Sequence, residues 1–296
     1  MTSTRSGNAT VLAALELAAR APSLHNTQPW RWRVGDESVQ LYLDQARQLP
    51  ATDPEGRELI ISCGAALHHL LVACSSLGWS GRLQRLPDPT QPACLAHVQF
   101  SPCTPPRADT DLAAAIPLRR TDRRRFTSWP VPAELIGELS ELAAENGMTL
   151  RSITEPELRW KTYRAIAEAA RQQSIDPAQA AELASWSGRN PSADDGVPTA
   201  NVPQPGRVPG QPPMREFAQS GLDQPPTHGE PEAAALLLLS TPADTPLQWL
   251  RAGELTSAIL LAATRDGLAT SPLTQPLEIA DTREFLRTQI AGTAAA

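Results

Sequence analysis

The stretch Ala21–Trp32, APSLHNTQPWRW, sets a histidine and four short polar side chains between two prolines and follows them with two tryptophans. Asparagine and glutamine side chains carry both hydrogen-bond donors and acceptors. This suits the edge of a heteroaromatic ring that alternates carbonyls with ring nitrogens. The prolines restrict the backbone on both sides. We therefore predict a loop that lies against a planar ligand, and the alternative is an Asx-turn that only joins a helix to a hairpin.

The first half of the chain predicts a helix, a hairpin, a central helix and a strand. Apolar spacing indicates an N-terminal helix capped by Asn8, and alternation on either side of Gly35-Asp36 indicates a β-hairpin. Residues 56–79 are apolar nearly all round, so they predict a buried helix that ends at Gly78. Residues 93–101 predict a strand, which a short helix follows.

The second half predicts more helices than strands and contains one unusual segment. Proline and glycine dominate residues 187–232, and so long an irregular stretch indicates either disorder or a lid over a site. Helices are predicted near Ala133–Asn146, Glu155–Gln173, Pro177–Trp186 and 246–267, and strands near Met148–Ile153 and, buried, at Ala233–Thr241.

Two long apolar helices carry glycines at the same spacing. The interval from Gly64 to Gly78 equals the interval from Gly253 to Gly267, and apolar residues coincide between them. Apolar helices match easily by chance, but both of these follow a loop that contains Arg and Glu. We therefore predict an α+β fold in which two tandem halves, residues 1–108 and 109–296, pack as a pseudo-dimer within one chain.

Five arginines crowd the stretch Leu118–Phe126, LRRTDRRRF. Like charges repel, so the cluster is either solvated at the start of a helix or compensated by an anion. Arginine forks match phosphate oxygens in bidentate fashion, and a threonine hydroxyl adds a further donor. The functional interpretation of this stretch is a phosphate clamp.

Three motifs in combination resemble the nitroreductase superfamily of FMN proteins. APSLHNTQPW resembles its PSxxNxQPW loop, RRTDRRRF followed by PVPAEL resembles its RRSxRxF…PVP segment, and GLATSPLTQP resembles its flavin-contacting loop. The usual subunit carries each motif once, and two subunits build two sites across their interface. Here each half carries motifs that the other lacks. This arrangement resembles the fused, Acg-like pseudo-dimers of actinobacteria, with a nitroreductase-like fold, and implies one complete site.

The resemblance implies a role for each matching residue. Arg119, Thr121 and Arg123 would hold the FMN phosphate, and Gln28 would brace its own loop. The implied reaction is hydride transfer from NAD(P)H through FMN to a nitroaromatic, a quinone or a similar acceptor. The alternatives are a protein that sequesters FMN beneath the insert and a scaffold that has lost FMN. The isoalloxazine would be lined by Pro22, Ser23, Leu24 and Asn26, with His25 nearby, and flavin N5 would face Pro272, Leu273, Thr274 and Gln275.

Composition excludes several classes of protein. A formal net charge of −6 and a pI near 5.5 argue against nucleic acid or an anionic membrane as a partner. No signal peptide or membrane span is evident, so a cytoplasmic protein is expected, and a fused pseudo-dimer is expected to be a monomer. The cysteines form no CxxC pair and predict free thiols. His68-His69 predict packing or a hydrogen bond rather than a metal site, and Asp194-Asp195 predict solvated side chains.

Overall fold

The computed structural model describes residues 3–190, 193–204, 215, 217, 219–223 and 232–292, without the side chains of residues 3–8. Much of the predicted lid, residues 187–232, therefore lies outside the described residues. The described part agrees with the predicted α+β class, because long helices pack against a four-stranded antiparallel sheet and a separate two-stranded sheet.

The first half contains the larger sheet. Its helices and strands are α1 Ser3–Ala18, β1 Trp30–Val34, β2 Ser38–Leu43, α2 Arg57–Ser76, β3 Trp79–Arg85, β4 Cys94–Pro102 and α3 Arg107–Ala115. The antiparallel sheet has the order β1-β2-β4-β3, and the predicted hairpin joins β1 to β2. The predicted cap was wrong, because α1 begins before Asn8. β3 was not predicted, because a glycine and two arginines obscure its alternation.

The second half is mainly helical. Its helices and strands are α4 Ala133–Glu145, β5 Thr149–Ser152, α5 Pro156–Ile175, α6 Pro177–Trp186, β6 Ser187–Arg189, β7 Val197–Pro198, β8 Leu237–Ser240, α7 Pro246–Arg265 and α8 Ala280–Gln289. β5 and β8 pair antiparallel, whereas β6 and β7 pair parallel at the start of the insert. The strand β8 was predicted to be buried, but its residues are only half-buried, because some of them line an open cavity.

The helices α2 and α7 meet at their glycines. A Cβ added to Gly64 would lie 2.0 Å from the carbonyl oxygen of Leu250, and one added to Gly253 would lie 1.9 Å from that of Ile61. Ile61 precedes Gly64 by three residues, just as Leu250 precedes Gly253. Each contact therefore recurs with the two helices exchanged, which is the pattern of a twofold interface.

Two histidines lie in the same interface. His68 and Ser257 each follow the glycine of their helix by four residues, and His68 Nδ1 lies 2.7 Å from Ser257 Oγ. His69 Nδ1 lies 2.7 Å from the same oxygen and 3.1 Å from the carbonyl oxygen of Ala65. Burial lowers the pKa of His68 to about 4 and that of His69 to about 3, so both rings are neutral. The predicted hydrogen-bonding role is confirmed.

The helix α2 is the core helix of the first half, as predicted. It ends just before Gly78, whose φ of 87° is the left-handed conformation that terminates helices. Among the described residues, α2 is the only helix long and apolar enough to cross a membrane, but 72% of that window is buried inside the protein. The cysteines are free thiols, as predicted.

Candidate functional site

The loop after α1 has a constrained backbone. Ser23 Oγ accepts a hydrogen bond from Gln28 N at 3.0 Å, and Ser62 Oγ on α2 accepts one from Leu24 N at 3.2 Å. These hydrogen bonds stabilise a left-handed backbone conformation that residues other than glycine seldom adopt. Strained backbone of this kind is common at functional sites. The residues with left-handed φ values are His25 at 49°, Asn26 at 57° and Gln28 at 49°.

The insert is fastened to this loop. Asn26 donates its side-chain amide to Gly196 O at 3.0 Å, and Gly196 N donates back to Asn26 O at 3.1 Å. Gln28 donates its side-chain amide to the carbonyl oxygen of Asp194. The amides of both predicted loop residues are therefore directed at the insert in this structure.

An ion pair strengthens the same junction. Arg47 donates to Thr27 O at 2.7 Å and pairs with Asp195 at 3.0 Å. Asp194 is exposed, as predicted, whereas the Asp195 side chain is 31% exposed and has a charged partner that was not predicted. Its partner, Arg47, lies in a distant part of the chain, so the local sequence of the insert could not predict the ion pair.

His25 is buried at the centre of the candidate site. Its ring meets Phe217 edge to face, with 6.0 Å between centroids, and its Nε2 lies 3.4 Å from a guanidinium nitrogen of Arg215. Arg123 lies over the same Phe217 ring, 5.2 Å from its centroid. Burial and the charges of Arg215 and Arg123 lower the pKa of His25 to about 3, although Glu278 opposes them. His25 is therefore a neutral ring with one donor and one acceptor.

Glu278 is a buried carboxylate that joins the insert to the segment after α7. It forms an ion pair with Arg215 and accepts a hydrogen bond from Thr274 Oγ1 at 2.7 Å. Burial raises the pKa of this carboxyl, but the charge and hydrogen bonds of its partners bring the pKa below its ordinary value. Gln173 donates to Glu278 at 2.7 Å and accepts from Gln275 at 2.8 Å. Thr274 and Gln275, both predicted site residues, are therefore linked through Glu278 to Arg215, which lies beside His25.

The arginine cluster divides into two environments. Arg123 lines a cavity, whereas Arg119 is buried and donates to the carbonyl oxygen of Arg20 at 3.1 Å. Nε and Nη1 of Arg119 have no hydrogen-bond partner among the described residues, and burial lowers the pKa of Arg119 to about 10. Between the two arginines, Thr121 forms a β-bridge with Thr270 that joins the cluster to the segment after α7. No helix begins at the cluster, so a solvated helix start does not explain it.

A cavity of about 1590 Å³ opens beside Arg123. Residues of β5, β8, α4 and α7 give it an apolar wall, and arginines add positive charge. Ordinary ligand sites measure roughly 300–1,000 Å³, so this space can hold a cofactor together with a second molecule. The described lining includes Arg123, Arg215, Phe217, Pro272, Leu273 and Gln275, and contains none of residues 22–28. The three residues that precede His25 in the sequence are half-buried, and they are Pro22, Ser23 and Leu24.

Three residues of the site were missed at the level of sequence. Arg215 and Phe217 lie in the insert, where no motif marks them. Glu278 follows the predicted 272–275 segment, and its only signal is that it stands alone between Leu277 and Ile279. Their importance depends on contacts between distant parts of the chain.

Three proteins of Mycobacterium tuberculosis strain H37Rv are similar to this chain over most of its length. Rv3131, provisionally named an NAD(P)H nitroreductase, is 47% identical over 285 residues, which cover 96% of this chain and 81% of that protein. Rv3127, named only as uncharacterized, is 36% identical over 281 residues, or 93% and 80%. The protein acg, also provisionally named an NAD(P)H nitroreductase, is 34% identical over 278 residues, or 93% and 83%. No protein-family model matches the chain.

Proposed function

We propose that this chain, which belongs to the nitroreductase family and to its Acg-like group, is an FMN-dependent oxidoreductase. The proposed reaction takes a hydride from NAD(P)H and passes it to a nitroaromatic, a quinone or a similar acceptor. One observation carries the proposal: His25 and Arg123 both contact Phe217, and the segment 272–275 lines the same cavity as Phe217 and Arg123, so three distant parts of the chain meet at one place. Such convergence is expected if the three motifs build a composite site.

The charge of the described residues fits a flavin phosphate. Arg123 has no carboxylate partner among the described residues, and Arg119 carries buried donors without acceptors. Burying a cation with unmatched donors costs free energy, and a phosphate is an acceptor that matches arginine well. We assign the phosphate contacts to Arg119 and Arg123, with the Thr121 hydroxyl as a third donor.

The remaining residues would orient the cofactor and control its surroundings. When bound, FMN supplies the hydride chemistry. His25 is neutral, so it offers hydrogen bonds beside the ring without placing a charge there. We assign one face of the ring to Pro22–Leu24 and its N5 side to Pro272–Gln275. Phe217 covers His25 and would exclude water from this part of the site.

We also propose that the two halves form a pseudo-dimer with one flavin site. The reciprocal contacts of Gly64 and Gly253 support it, and so does the contact between the equivalent residues His68 and Ser257. An interface that is already internal gives no reason for a second copy to bind, so a monomer follows. The proposed boundary between residues 108 and 109 falls in the first turn of α3, so this helix is shared between the two proposed halves.

Replacing Arg123 by alanine tests the cofactor assignment. R123A should weaken FMN binding roughly 10- to 100-fold, since a charged hydrogen bond contributes about 1.5–3 kcal/mol, and should change riboflavin binding little because riboflavin has no phosphate. R124A is the matched control, because Arg124 is exposed and pairs with Asp122 at 2.6 Å. Equal weakening of both ligands by R123A would refute the phosphate contact, and a colourless protein that binds no added FMN would refute the function.

Stopped-flow reduction separates turnover from storage. The proposed oxidoreductase is reduced rapidly by NADPH or NADH once FMN is bound. Rapid reduction by dithionite with slow reduction by both nicotinamides would favour sequestration of FMN beneath the insert instead.

A further inference from the structure

The helix α5 lines the cavity along most of its length. Its lining residues recur at intervals of three or four, which places them on one face of the helix. With a rise of about 1.5 Å per residue, this face extends about 22 Å. The alanines in its middle leave space between two polar ends, so the face suits an elongated ligand. The residues of this face are Arg159, Tyr163, Ala167, Ala170 and Ser174.

One end of this face lies at the proposed flavin site. Gln173, which also lines the cavity, donates to Glu278 at 2.7 Å and accepts from Gln275 at 2.8 Å. Gln275 belongs to the segment assigned to flavin N5, so a ring that exchanges a hydride with the flavin would lie near this end. Tyr163 precedes Gln173 on the helix by a distance of about 15 Å.

The other end of the face carries a cation without a counter-ion. Arg159 donates to the Tyr163 hydroxyl oxygen at 2.7 Å and to the carbonyl oxygen of Ile153 at 3.4 Å, and it forms no ion pair with a carboxylate of the described residues. Arg171, near the flavin end of the same helix, pairs instead with Glu168 at 2.7 Å. The Tyr163 oxygen accepts from Arg159, so its own proton can be donated into the cavity.

We propose that Arg159 and Tyr163 bind a phosphate of the nicotinamide dinucleotide that reduces the flavin. A guanidinium fork and a hydroxyl match phosphate oxygens well. The pyrophosphate of both dinucleotides and the 2′-phosphate of NADPH lie away from the reacting ring, just as Arg159 lies away from the flavin end. An acceptor with a single ring is too short to reach both ends. This role rests on the proposed function, but the binding site can be tested without turnover.

Calorimetry on the flavin-loaded chain measures binding of NADP+, NAD+ and nicotinamide mononucleotide, none of which reduces the flavin. R159M should weaken NADP+ binding about tenfold through the loss of a charge-assisted hydrogen bond, and Y163F by a smaller factor. Binding of the mononucleotide should not change, because its one phosphate adjoins the nicotinamide riboside. R164M is the matched control, because Arg164 is exposed on the same helix, lies 4.8 Å from the centroid of the Trp160 ring and does not line the cavity.

The response of the two dinucleotides identifies the phosphate. An equal loss for NADP+ and NAD+ in R159M would indicate the pyrophosphate, and a loss confined to NADP+ would indicate the 2′-phosphate. Unchanged dinucleotide binding in R159M, an equal loss for the mononucleotide, the same loss in R164M, or no binding of either dinucleotide to the wild type would overturn the proposal. If R159M does not fold, R159Q replaces it, because the amide of glutamine can still donate to Tyr163 without a charge.

The proposed function and this binding site fail in distinguishable ways. If dinucleotide binding depends on Arg159 but neither NADPH nor NADH reduces the bound flavin, the oxidoreductase function fails and the phosphate site holds. If the flavin is reduced rapidly and R159M changes neither dinucleotide affinity nor the rate of reduction, the function holds and the phosphate site is refuted. If the chain binds no FMN, the same titrations on the flavin-free chain still decide whether Arg159 binds the dinucleotide.

Discussion

Replacing Gly64 by alanine tests how closely α2 and α7 approach each other. The added Cβ would lie 2.0 Å from the carbonyl oxygen of Leu250, and 3.0 Å from both Glu254 N and the Cα of Gly253. Ordinary contact begins at 3.4 Å, so the closest pair, at 2.0 Å, falls short by about 1.4 Å. All three neighbouring atoms are helix backbone and cannot rotate away. The helices must therefore separate along their interface.

Two opposing effects set the size of the change. Alanine is preferred to glycine inside a helix by about 0.5–1 kcal/mol, which alone would stabilise the variant. Overpacking a core typically costs about 1–3 kcal/mol, and more when whole helices must move apart. The clash outweighs the gain in helix propensity, so we expect G64A to lower the free energy of unfolding by about 2 kcal/mol or more. Gly137 is the matched control, because it lies within α4 and an added Cβ meets nothing within 4 Å. G137A should raise the free energy of unfolding by about 0.5–1 kcal/mol.

Urea unfolding followed by circular dichroism measures both changes. The reciprocal clash at Gly253 allows a second check, because one separation of the helices relieves both contacts. G64A/G253A should therefore lose less stability than the sum of the two single variants. A loss below about 1 kcal/mol in G64A, against the ~2 kcal/mol or more that we expect, would show that the two backbones are not in contact.

Three further predictions follow from the proposed assembly and from the buried histidines. Flavin released from the purified protein should amount to one FMN per chain, because each half lacks motifs that the other supplies, and two per chain would contradict the complementary halves. Light scattering should give a monomer near 31.8 kDa, because the twofold interface is internal, and a tight dimer would contradict this. Wild type should lose stability relative to H68L as the pH falls from about 6.5 toward 4, because the unfolded chain protonates a histidine whose native pKa burial lowers to about 4. The comparison with H68L is needed because burial raises the pKa of Glu58 to about 7, which acts in the opposite direction, and parallel profiles of the two proteins would refute the prediction.

Features that depend only on neighbouring residues along the chain could be predicted without the structure. Helix α6 begins and ends at the predicted Pro177 and Trp186, because proline marks the first helical turn and the periodic pattern stops there. The hairpin follows from alternation around Gly35-Asp36, and α2 ends just before Gly78 because glycine adopts the left-handed conformation there. The equal spacing of glycines indicated that the two helices are equivalent, and the structure shows that they also pack against each other at those glycines.

Tertiary structure alone decided which predicted site residues meet and in what surroundings. The same arginine-rich stretch places Arg119 beneath the surface and Arg123 beside the cavity, and no local pattern distinguishes them. Arg215 pairs with Glu278, a contact between residues 63 positions apart that no local pattern predicts. Burial, charge pairing and pKa are set by groups that come from distant parts of the chain, whereas periodicity and turn chemistry report only on residues a few positions away.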